Sequence, residues 1–216
     1  MNPRPYDLGR RQADIDDGRR RILDAARALL AEPNSFTAFT VGAVAKRADV
    51  ARATVYYQFS SRTGLLEALA DHLAALGQME RLAEAFTAPD PTAGMALLVE
   101  AFARFWDADR PAMRRLRALA HLDSGVANVV AARDQRRRQA ISVLVERLEP
   151  ETGAPTDKAA RARLVGVLYT LSSFETFDTL AGADATIAEV APQVEALAAA
   201  VLAGAPPAHQ TDCRYR

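Results

Sequence analysis

The residues with the most distinctive chemistry lie between positions 40 and 62, where hydrogen-bond donors and aromatic rings are concentrated. Arg52 carries a planar guanidinium and Thr54 a hydroxyl with a methyl group, and two phenols follow at Tyr56 and Tyr57. Such groups hydrogen-bond phosphate oxygens and base edges, and residues 51–59 contain no carboxylate that would repel a polyanion. The set favours nucleic-acid binding over acid–base or metal chemistry.

The same stretch predicts two short helices, residues 41–47 and 51–58, joined by a tight break at 48–50 and followed by a third helix that opens near Ser61. Apolar residues at helical spacing form one side of this arrangement: Val41, Val44, Ala45, Val50, Val55 and Phe59. Two short helices joined by a small-residue turn, with donors on the outer side of the second, are typical of a helix-turn-helix that enters a major groove. An ordinary helical hairpin on a protein surface is the alternative.

In their order and gaps, these residues resemble the DNA-binding signature of the TetR family of transcriptional regulators. The matching residues are Thr40-Val41, Val44-Ala45, 48–50, 52–59, Ser61-Arg62 and Leu65-Leu66, with residues 22–30 and Phe36-Thr37 similar to the family's first helix and its exit. The resemblance covers about the first third of the chain. Two positions depart from it: Asp49 stands where Gly is usual, and Ala51 where a capping Ser is common. We expect Asp49 to adopt the left-handed backbone, which Asp tolerates well, and the second helix to begin with a weaker cap.

Three residues at the start of the second helix are suited to reading base edges. Arg52 can bind guanine O6 and N7 together, so we predict that it reads a base. Ala53 and Thr54 are small enough to allow a close approach, and a methyl group from either can contact thymine. Sequence choice is therefore expected to come from residues 52–54, with most of the affinity coming from phosphate contacts.

Four further residues are predicted to contact DNA. Thr40 can bind phosphate together with the amide end of the helix that it caps. The resemblance implies that Tyr56 and Arg62 contact the phosphate backbone. Tyr57, on the same helix, is predicted to contact phosphate or a thymine methyl. The alternatives are a half-buried packing role for Tyr56 and a surface ion pair for Arg62.

The charge that favours nucleic-acid binding is local to one segment and is not a property of the whole chain. The 216 residues carry 27 basic and 27 acidic side chains, so only the local excess of basic residues between positions 40 and 62 favours nucleic acid. The single cysteine, Cys213, excludes a disulfide framework and favours a reducing cytoplasm. No apolar run is long enough to span a membrane, and the N-terminus lacks an apolar signal region, so we expect a cytoplasmic protein without membrane association.

An enzyme is the rival class. His72, His121 and His209 lie far apart, and neither metal-ligand spacing nor a glycine-rich phosphate loop is present, so no metal or cofactor is expected. Residues 121–124 combine histidine, aspartate and serine, but neighbours at one helix end rarely face each other productively. A third possibility is a small-molecule-binding helical dimer that has lost its DNA role, which the intact Arg52 and Thr54 argue against.

Helical periodicity with regular proline and glycine breaks predicts an all-α protein of about nine helices. We expect a flexible basic arm at 1–14, a helix-turn-helix DNA-binding domain at 15–63, a ligand-binding and dimerisation bundle at 64–205 and a flexible tail at 206–216. The first helix is predicted from about residue 16 to 31, and single long helices are predicted over 61–85 and 157–180.

Dimerisation and ligand release are further expectations. A two-fold dimer places two recognition helices about 34 Å apart, so we predict a homodimer on a palindromic operator. The last two long helices carry more apolar surface than one bundle needs, and the predicted dimer residues are Leu164, Val167, Leu168, Leu171, Val190, Val194, Leu197 and Val201. Alternatively, these faces are all intramolecular core.

The resemblance also implies that a small apolar molecule fills a cavity among the bundle helices and releases a repressor from its operator. The candidate ligand-binding residues are Phe102, Phe105, Trp106, Met113, Leu116, His121, Tyr169 and Phe174. Core packing is the alternative role for most of these side chains.

Overall fold

The computed structural model describes residues 6–32, 39–152 and 157–204, and within these ranges every regular element is helical. The α-helices are α1 (Tyr6–Ala31), α2 (Val41–Arg47), α3 (Arg52–Phe59), α4 (Arg62–Leu76), α5 (Leu82–Thr87), α6 (Pro91–Ala108), α7 (Arg110–Ala120), α8 (Ser124–Thr152), α9 (Lys158–Leu171), α10 (Phe174–Ala181) and α11 (Ile187–Ala203), with a short 3₁₀ helix at Met79–Arg81. The all-α class predicted from the sequence is confirmed. None of the helices in these ranges combines the length and apolar character needed to cross a membrane.

The chain forms two compact units that do not follow chain order. Of the described residues, the first unit comprises 6–32, 39–73 and 111–130, and the second comprises 74–110, 131–152 and 157–204. Residues 64–73 and 111–130, which the sequence assigns to the bundle, thus group with the N-terminal helices. One contact between these segments is the hydrogen bond that Arg115 donates to the carbonyl of Leu30 at 3.4 Å.

Helix α1 begins earlier than the sequence predicts. It starts at Tyr6 rather than near residue 16, so residues 6–14 are helical and the expected flexible arm is wrong for this part. Pro3 and Pro5 precede the helix and cannot interrupt it, and a glycine such as Gly9 costs only about 1 kcal/mol in a helix, which a helix of 26 residues can absorb. Residues 1–5 and the predicted tail at 206–216 lie outside the described residues.

The core of the first unit is built from the apolar stripes of α1 to α4. Ile22 and Leu30 of α1, Val44 of α2 and Leu69 of α4 are fully buried, and Val55 of α3 is 1% exposed. Helix α1 packs on α2, and α2 packs on α3. The two short helices therefore gain their stability from tertiary burial, because helices of seven and eight residues are marginal alone.

In the second unit, α6 packs against α5 and α11, and α10 packs against α11. Asp90 caps α6 by accepting a hydrogen bond from the Thr92 N–H at 2.8 Å, with Pro91 at the first helical position. Helix α11 opens with a reciprocal capping box between Thr186 and Glu189. These local signals fix where the helices begin, and the buried faces then fix how they pack.

The long helix predicted over 61–85 is interrupted, which is the first of two departures from the nine-helix expectation. Helix α4 ends at Leu76, and Gln78 has a left-handed backbone with φ 54°. A Cβ on Gly77 would lie 2.6 Å from the Cα of Phe105, so only glycine allows this close approach to α6. Tertiary packing therefore breaks a helix that local propensity favours.

The helix predicted over 157–180 is also divided, at Ser172 and Ser173, into α9 and α10. The break is buried, because Ser172 is 0% exposed and Ser173 is 8% exposed. Its free carbonyl groups accept hydrogen bonds from two distant side chains: Trp106 Nε1 donates to Ser172 at 3.1 Å, and Arg137 donates to Tyr169 at 2.6 Å. With these two interruptions, the described residues form eleven α-helices where the sequence predicts nine.

Candidate nucleic-acid interface

Helix α2 occupies the residues that the sequence predicts. Thr40 caps it, with an extended backbone and a side-chain oxygen that accepts a hydrogen bond from the Ala43 N–H at 3.1 Å. Val41, Val44 and Ala45 are buried, which fixes the orientation of the helix on the first unit. The hydroxyl of Thr40 lies at the amide end of α2 and the residue is exposed, as a phosphate contact requires.

The turn between α2 and α3 has the backbone expected for it. Asp49 has φ 53°, which confirms that it adopts the left-handed conformation in place of glycine. The Val50 N–H then donates to the Ala45 carbonyl at 3.0 Å and closes the turn. Ala51 is the N-cap of α3 and makes no side-chain capping hydrogen bond, so the weaker cap is confirmed as well.

Helix α3 is held on the first unit by its apolar face and by an arginine of α1. Val55 and Phe59 are 1% and 5% exposed. The guanidinium of Arg19 lies 4.4 Å from the ring centroid of Phe59 and donates to the Gln58 carbonyl at 2.8 Å, near the end of the helix. A cation–π contact and a capped carbonyl together fix where α3 ends.

Arg19 was not among the residues predicted for the site, because the run 19–21 is equally consistent with a solvated helix face. A signal was present, since Arg19 precedes Ile22 by three residues and Leu23 by four on a stripe that becomes buried. The structure shows it as a positioning residue for α3.

The opposite face of α3 is open to solvent. Arg52, Ala53 and Thr54 are exposed, and Tyr57, at 80%, is the most exposed large hydrophobic residue in the part of the chain that the structure describes. Tyr56 is 38% exposed, so it remains available to a partner. This face carries donors and methyl groups without any acidic side chain between Arg52 and Phe59.

Arg52 and Tyr56 contact each other one turn apart. The guanidinium donates a hydrogen bond to the Tyr56 hydroxyl at 3.2 Å, and its central carbon lies 5.5 Å from the ring centroid. The tyrosine thus restricts the rotamers of the arginine, which lowers the entropy that Arg52 loses on binding. The two residues act as a unit at the exposed surface of α3.

Arg62 is bound to an acidic partner. Its two terminal nitrogens donate to the two carboxylate oxygens of Asp123 at 3.2 Å and 2.7 Å, a bidentate pair within the first unit. Asp123 also accepts from the Val126 N–H at 3.0 Å in the first turn of α8. The Arg62 hydrogen bond and then the Val126 N–H lower the pKa of the Asp123 carboxyl, so the ion pair is intact at neutral pH. A phosphate must compete with Asp123 for this guanidinium.

We expect Asp123→Asn to tighten operator binding by roughly 3- to 10-fold, because it frees the Arg62 guanidinium for a phosphate. Asparagine can still accept from the Val126 N–H, so the cap of α8 is retained. Measurement of the affinity at several salt concentrations should show the magnitude of the log–log slope rising by about 0.9 for each freed contact.

The matched control is Asp17→Asn, which removes a carboxylate that pairs with Arg20 at 2.6 Å on the same unit. It should leave the salt slope unchanged. Weaker binding by Asp123→Asn at an unchanged slope would show instead that the pair only positions α4.

The predicted ligand-binding residues are divided between the two units. Phe102, Phe105, Trp106 and Phe174 form one aromatic cluster in the second unit, with neighbouring ring centroids 4.5 to 6.5 Å apart. Tyr169 belongs to the same unit. Met113, Leu116 and His121 belong to the first unit, where the first two are buried and His121 is exposed.

The sequence missed Arg137, which lies beside this aromatic cluster. Its guanidinium carbon is 4.0 Å from the ring centroid of Tyr169 and 5.7 Å from that of Phe102, and the side chain donates to Ser172 Oγ at 3.0 Å. Arg137 is 3% exposed. The signal was its position four residues before Ile141 on the buried stripe of α8, where an apolar residue is usual.

The predicted dimer residues divide by exposure. Four of them are buried within the chain: Leu164, Leu168, Val190 and Val194. These side chains are intramolecular core, which is the alternative to a dimer surface. Val167 and Leu197 are 43% and 46% exposed. Leu171 and Val201 are partly exposed.

In the first unit, a capped helix, a tight turn and a second helix with an open donor face lie on a buried apolar core. This arrangement defines a helix-turn-helix DNA-binding protein. Residues 22–69 match the family model described as bacterial regulatory proteins, tetR family. The N-terminal part of the chain is thus similar to the DNA-binding region of the tetR family of bacterial regulatory proteins.

Solved structures support the fold. A TetR transcription regulator from Haloarcula marismortui is 18% identical, with a TM-score of 0.61 over 87% of this chain and 97% of that one. A protein of Saccharomonospora viridis in complex with choline is also 18% identical, with a TM-score of 0.58 over 84% and 95% of the two chains. FadR from Bacillus subtilis in complex with stearoyl-CoA is 18% identical, with a TM-score of 0.58 over 87% and 98%. No curated protein matches the chain.

Proposed function

We propose that the protein is a transcriptional repressor that binds a palindromic operator as a homodimer and is released by a small-molecule ligand. The observation that carries the proposal is that one face of α3 is held by the first unit while the other is open to solvent. Its apolar face is fixed by Val55, Phe59 and Arg19, while Arg52 and Tyr57 stand exposed on the other face. A rigid helix with an open donor face can enter a major groove without rearranging.

Recognition divides between two groups of residues. Arg52 reads a base edge through two parallel hydrogen bonds, and the small Ala53 and Thr54 let the helix approach the base pairs. Thr40 and Tyr56 bind phosphates and hold the register of the helix on the duplex. Arg62 joins this second group where phosphate displaces Asp123.

The proposed dimer surface consists of the predicted dimer residues that remain exposed or partly exposed in the single chain. These are Val167 and Leu171 on α9 with Leu197 and Val201 on α11, two helices that pack against each other. Burial of these side chains against a second copy would remove apolar surface from water, which favours association. The dimer then presents two copies of α3 to one face of the duplex, about 34 Å apart.

Effector binding is proposed for the aromatic cluster of the second unit. The Saccharomonospora viridis protein is in complex with choline and the Bacillus subtilis FadR with stearoyl-CoA, so chains of this fold bind small molecules. Phe102, Phe105, Trp106 and Phe174 offer apolar surface to such a molecule, with Tyr169 at their side. A ligand that binds the DNA-free state more tightly shifts the population towards it and weakens repression.

Selection of random duplex DNA by the purified protein, at one stated salt concentration, tests the proposal. We expect recovery of a palindrome whose half-site centres lie one helical turn apart. Parallel selection with the variant Arg52→Ala/Thr54→Ala should lose part of the half-site consensus while the protein remains a dimer. Recovery of no consensus, together with weak binding that disappears as salt rises, contradicts the proposal.

A further inference from the structure

A cleft of about 450 Å³ opens within the second unit between the backbone at Gly77 and Gln78, helix α6 and helix α11. One wall consists of alanines, Ala103 on α6 with Ala188 and Ala191 on α11, which leave space that larger side chains would fill. None of the residues predicted from the sequence to bind ligand lines it. The cleft is therefore distinct from the aromatic cluster.

A second part of the lining is the backbone at Gly77, whose position is fixed. A Cβ on Gly77 would lie 2.6 Å from the Cα of Phe105, so the chain is held tightly against α6 at this point. Leu76 precedes it and lines the cleft, where it is 41% exposed instead of pointing inward as its position in the apolar stripe predicts. An exposed leucine beside an alanine wall gives the cleft an apolar floor without filling it.

The charges that line the cleft are mainly acidic. Glu100 and Asp107 lie on α6 with one guanidinium, Arg104, which is paired with Glu100. The Asp107 carboxylate accepts a hydrogen bond from the Ile187 N–H at 3.0 Å. The neighbouring Arg81 and Glu84 pair with each other at 3.1 Å, so together they add no net charge near the cleft.

A third carboxyl group lies on α11, outside the lining of the cleft. Glu195 follows Ala188 by seven residues and Ala191 by four, which places all three on one side of α11. Burial raises the pKa of the Glu195 carboxyl, and the negative charge of Glu100 raises it further. A nearby cation stabilises the ionised form of such a group. The cleft thus combines alkyl walls with a surplus of negative charge.

We propose that this cleft is a second ligand site of the protein and that it binds an organic cation, with the ammonium group towards Asp107 and an apolar body against Leu76 and the alanines. Volume, alkyl lining and charge all fit this class of molecule, because a pocket of a few hundred Å³ with few polar groups binds small ligands. An inorganic cation would leave the alkyl walls hydrated, and an anion would meet the carboxylates.

Three probes that share a phenylethyl body test the charge requirement by calorimetry on the full chain at neutral pH. They are 2-phenylethylammonium, the neutral 2-phenylethanol and the anionic 3-phenylpropanoate. We expect the ammonium compound to bind at least about tenfold more tightly than the alcohol, and the carboxylate to show no binding. Equal or tighter binding of the alcohol or the carboxylate overturns the proposal.

Two variants with one matched control locate the binding. Ala188→Phe introduces a large ring at an exposed position of the lining and should abolish ammonium binding, whereas Ala196→Phe places the same ring at an exposed position eight residues further along α11, outside the lining, and should leave it unchanged. Asp107→Asn keeps an oxygen that can accept from the Ile187 N–H, and it should weaken the ammonium compound about fivefold and leave the alcohol unaffected.

Undiminished binding by a folded Ala188→Phe variant overturns the location of the site. The measurements use protein without DNA, so their failure is distinguishable from failure of operator binding.

Discussion

Replacement of Arg52 by alanine should weaken operator binding by about 5- to 150-fold per half-site, because a bidentate contact to guanine contributes roughly 1–3 kcal/mol. The side chain stands exposed at the first position of α3 and is restrained by the Tyr56 hydroxyl 3.2 Å away. The loss should fall on one base position: the wild type discriminates there, and the variant accepts several bases. Competition binding with single-base operator variants measures both effects.

Three variants separate base reading from general charge. Arg52→Lys keeps the charge but loses the planar fork, so it should discriminate as poorly as alanine while retaining more affinity. Tyr56→Phe removes the hydroxyl that orients the guanidinium and should cost less than Arg52→Ala. Arg20→Ala removes an exposed charge that pairs with Asp17 on α1 and should be nearly neutral.

A different result would reassign Arg52. If Arg52→Ala weakens every sequence equally and lowers the magnitude of the salt slope by about 0.9 per protomer, the guanidinium contacts phosphate. Base discrimination would then belong to Ala53, Thr54 and Tyr57, whose exposure is equally compatible with groove contacts.

The helix-turn-helix could be predicted closely because its determinants are local. Thr40 is a capping residue one position before an apolar stripe, and Asp49 is one of the few residues that tolerate a positive φ, here 53°. Each of these signals lies within a few residues of the element that it controls. The bounds of α2 and the backbone of the turn follow from them.

The contacts that sequence reasoning missed join residues that are distant in the chain. Arg19 supports α3 from a position 39 residues before Gln58, and Arg62 pairs with Asp123 across 61 residues. Arg137 satisfies a helix break that exists only because α9 and α10 divide at two buried serines. The helical periodicity of a sequence does not reveal such long-range contacts. An arginine in a basic run is therefore assigned to a solvent-exposed helix face until the fold is known.

Apolar periodicity shows that a helix face is buried but not what covers it. The stripes on α9 and α11 led to eight predicted dimer residues, and the chain itself buries Leu164, Leu168, Val190 and Val194 among them. Only exposure in the folded chain separates Val167 and Leu197 from this core. The same limit applies to the aromatic residues, since a ring at a buried position has the same spacing in a packed core and in a pocket wall.

Gly64→Ala should destabilise the protein by about 1–3 kcal/mol and weaken operator binding, because an added methyl group would overlap the carbonyl oxygen of Phe59 at the end of α3. That oxygen already accepts a hydrogen bond from the Ser61 N–H at 2.7 Å, across Ser60 with φ 62°. The three-residue turn is tight, and a non-glycine residue at positive φ stores strain. Relief of the overlap requires the end of α3 to move.

Gly18→Ala is the matched control, since nothing lies within 4 Å of a Cβ at that position of α1. It should stabilise the protein by up to about 1 kcal/mol through helix propensity and leave operator affinity unchanged. Urea denaturation gives the stability of both variants, and binding is then measured where each is fully folded. A loss of affinity by folded Gly64→Ala shows that the placement of α3, beyond the stability of the first unit, determines binding; unchanged affinity would mean that the turn absorbs the methyl group without moving the helix.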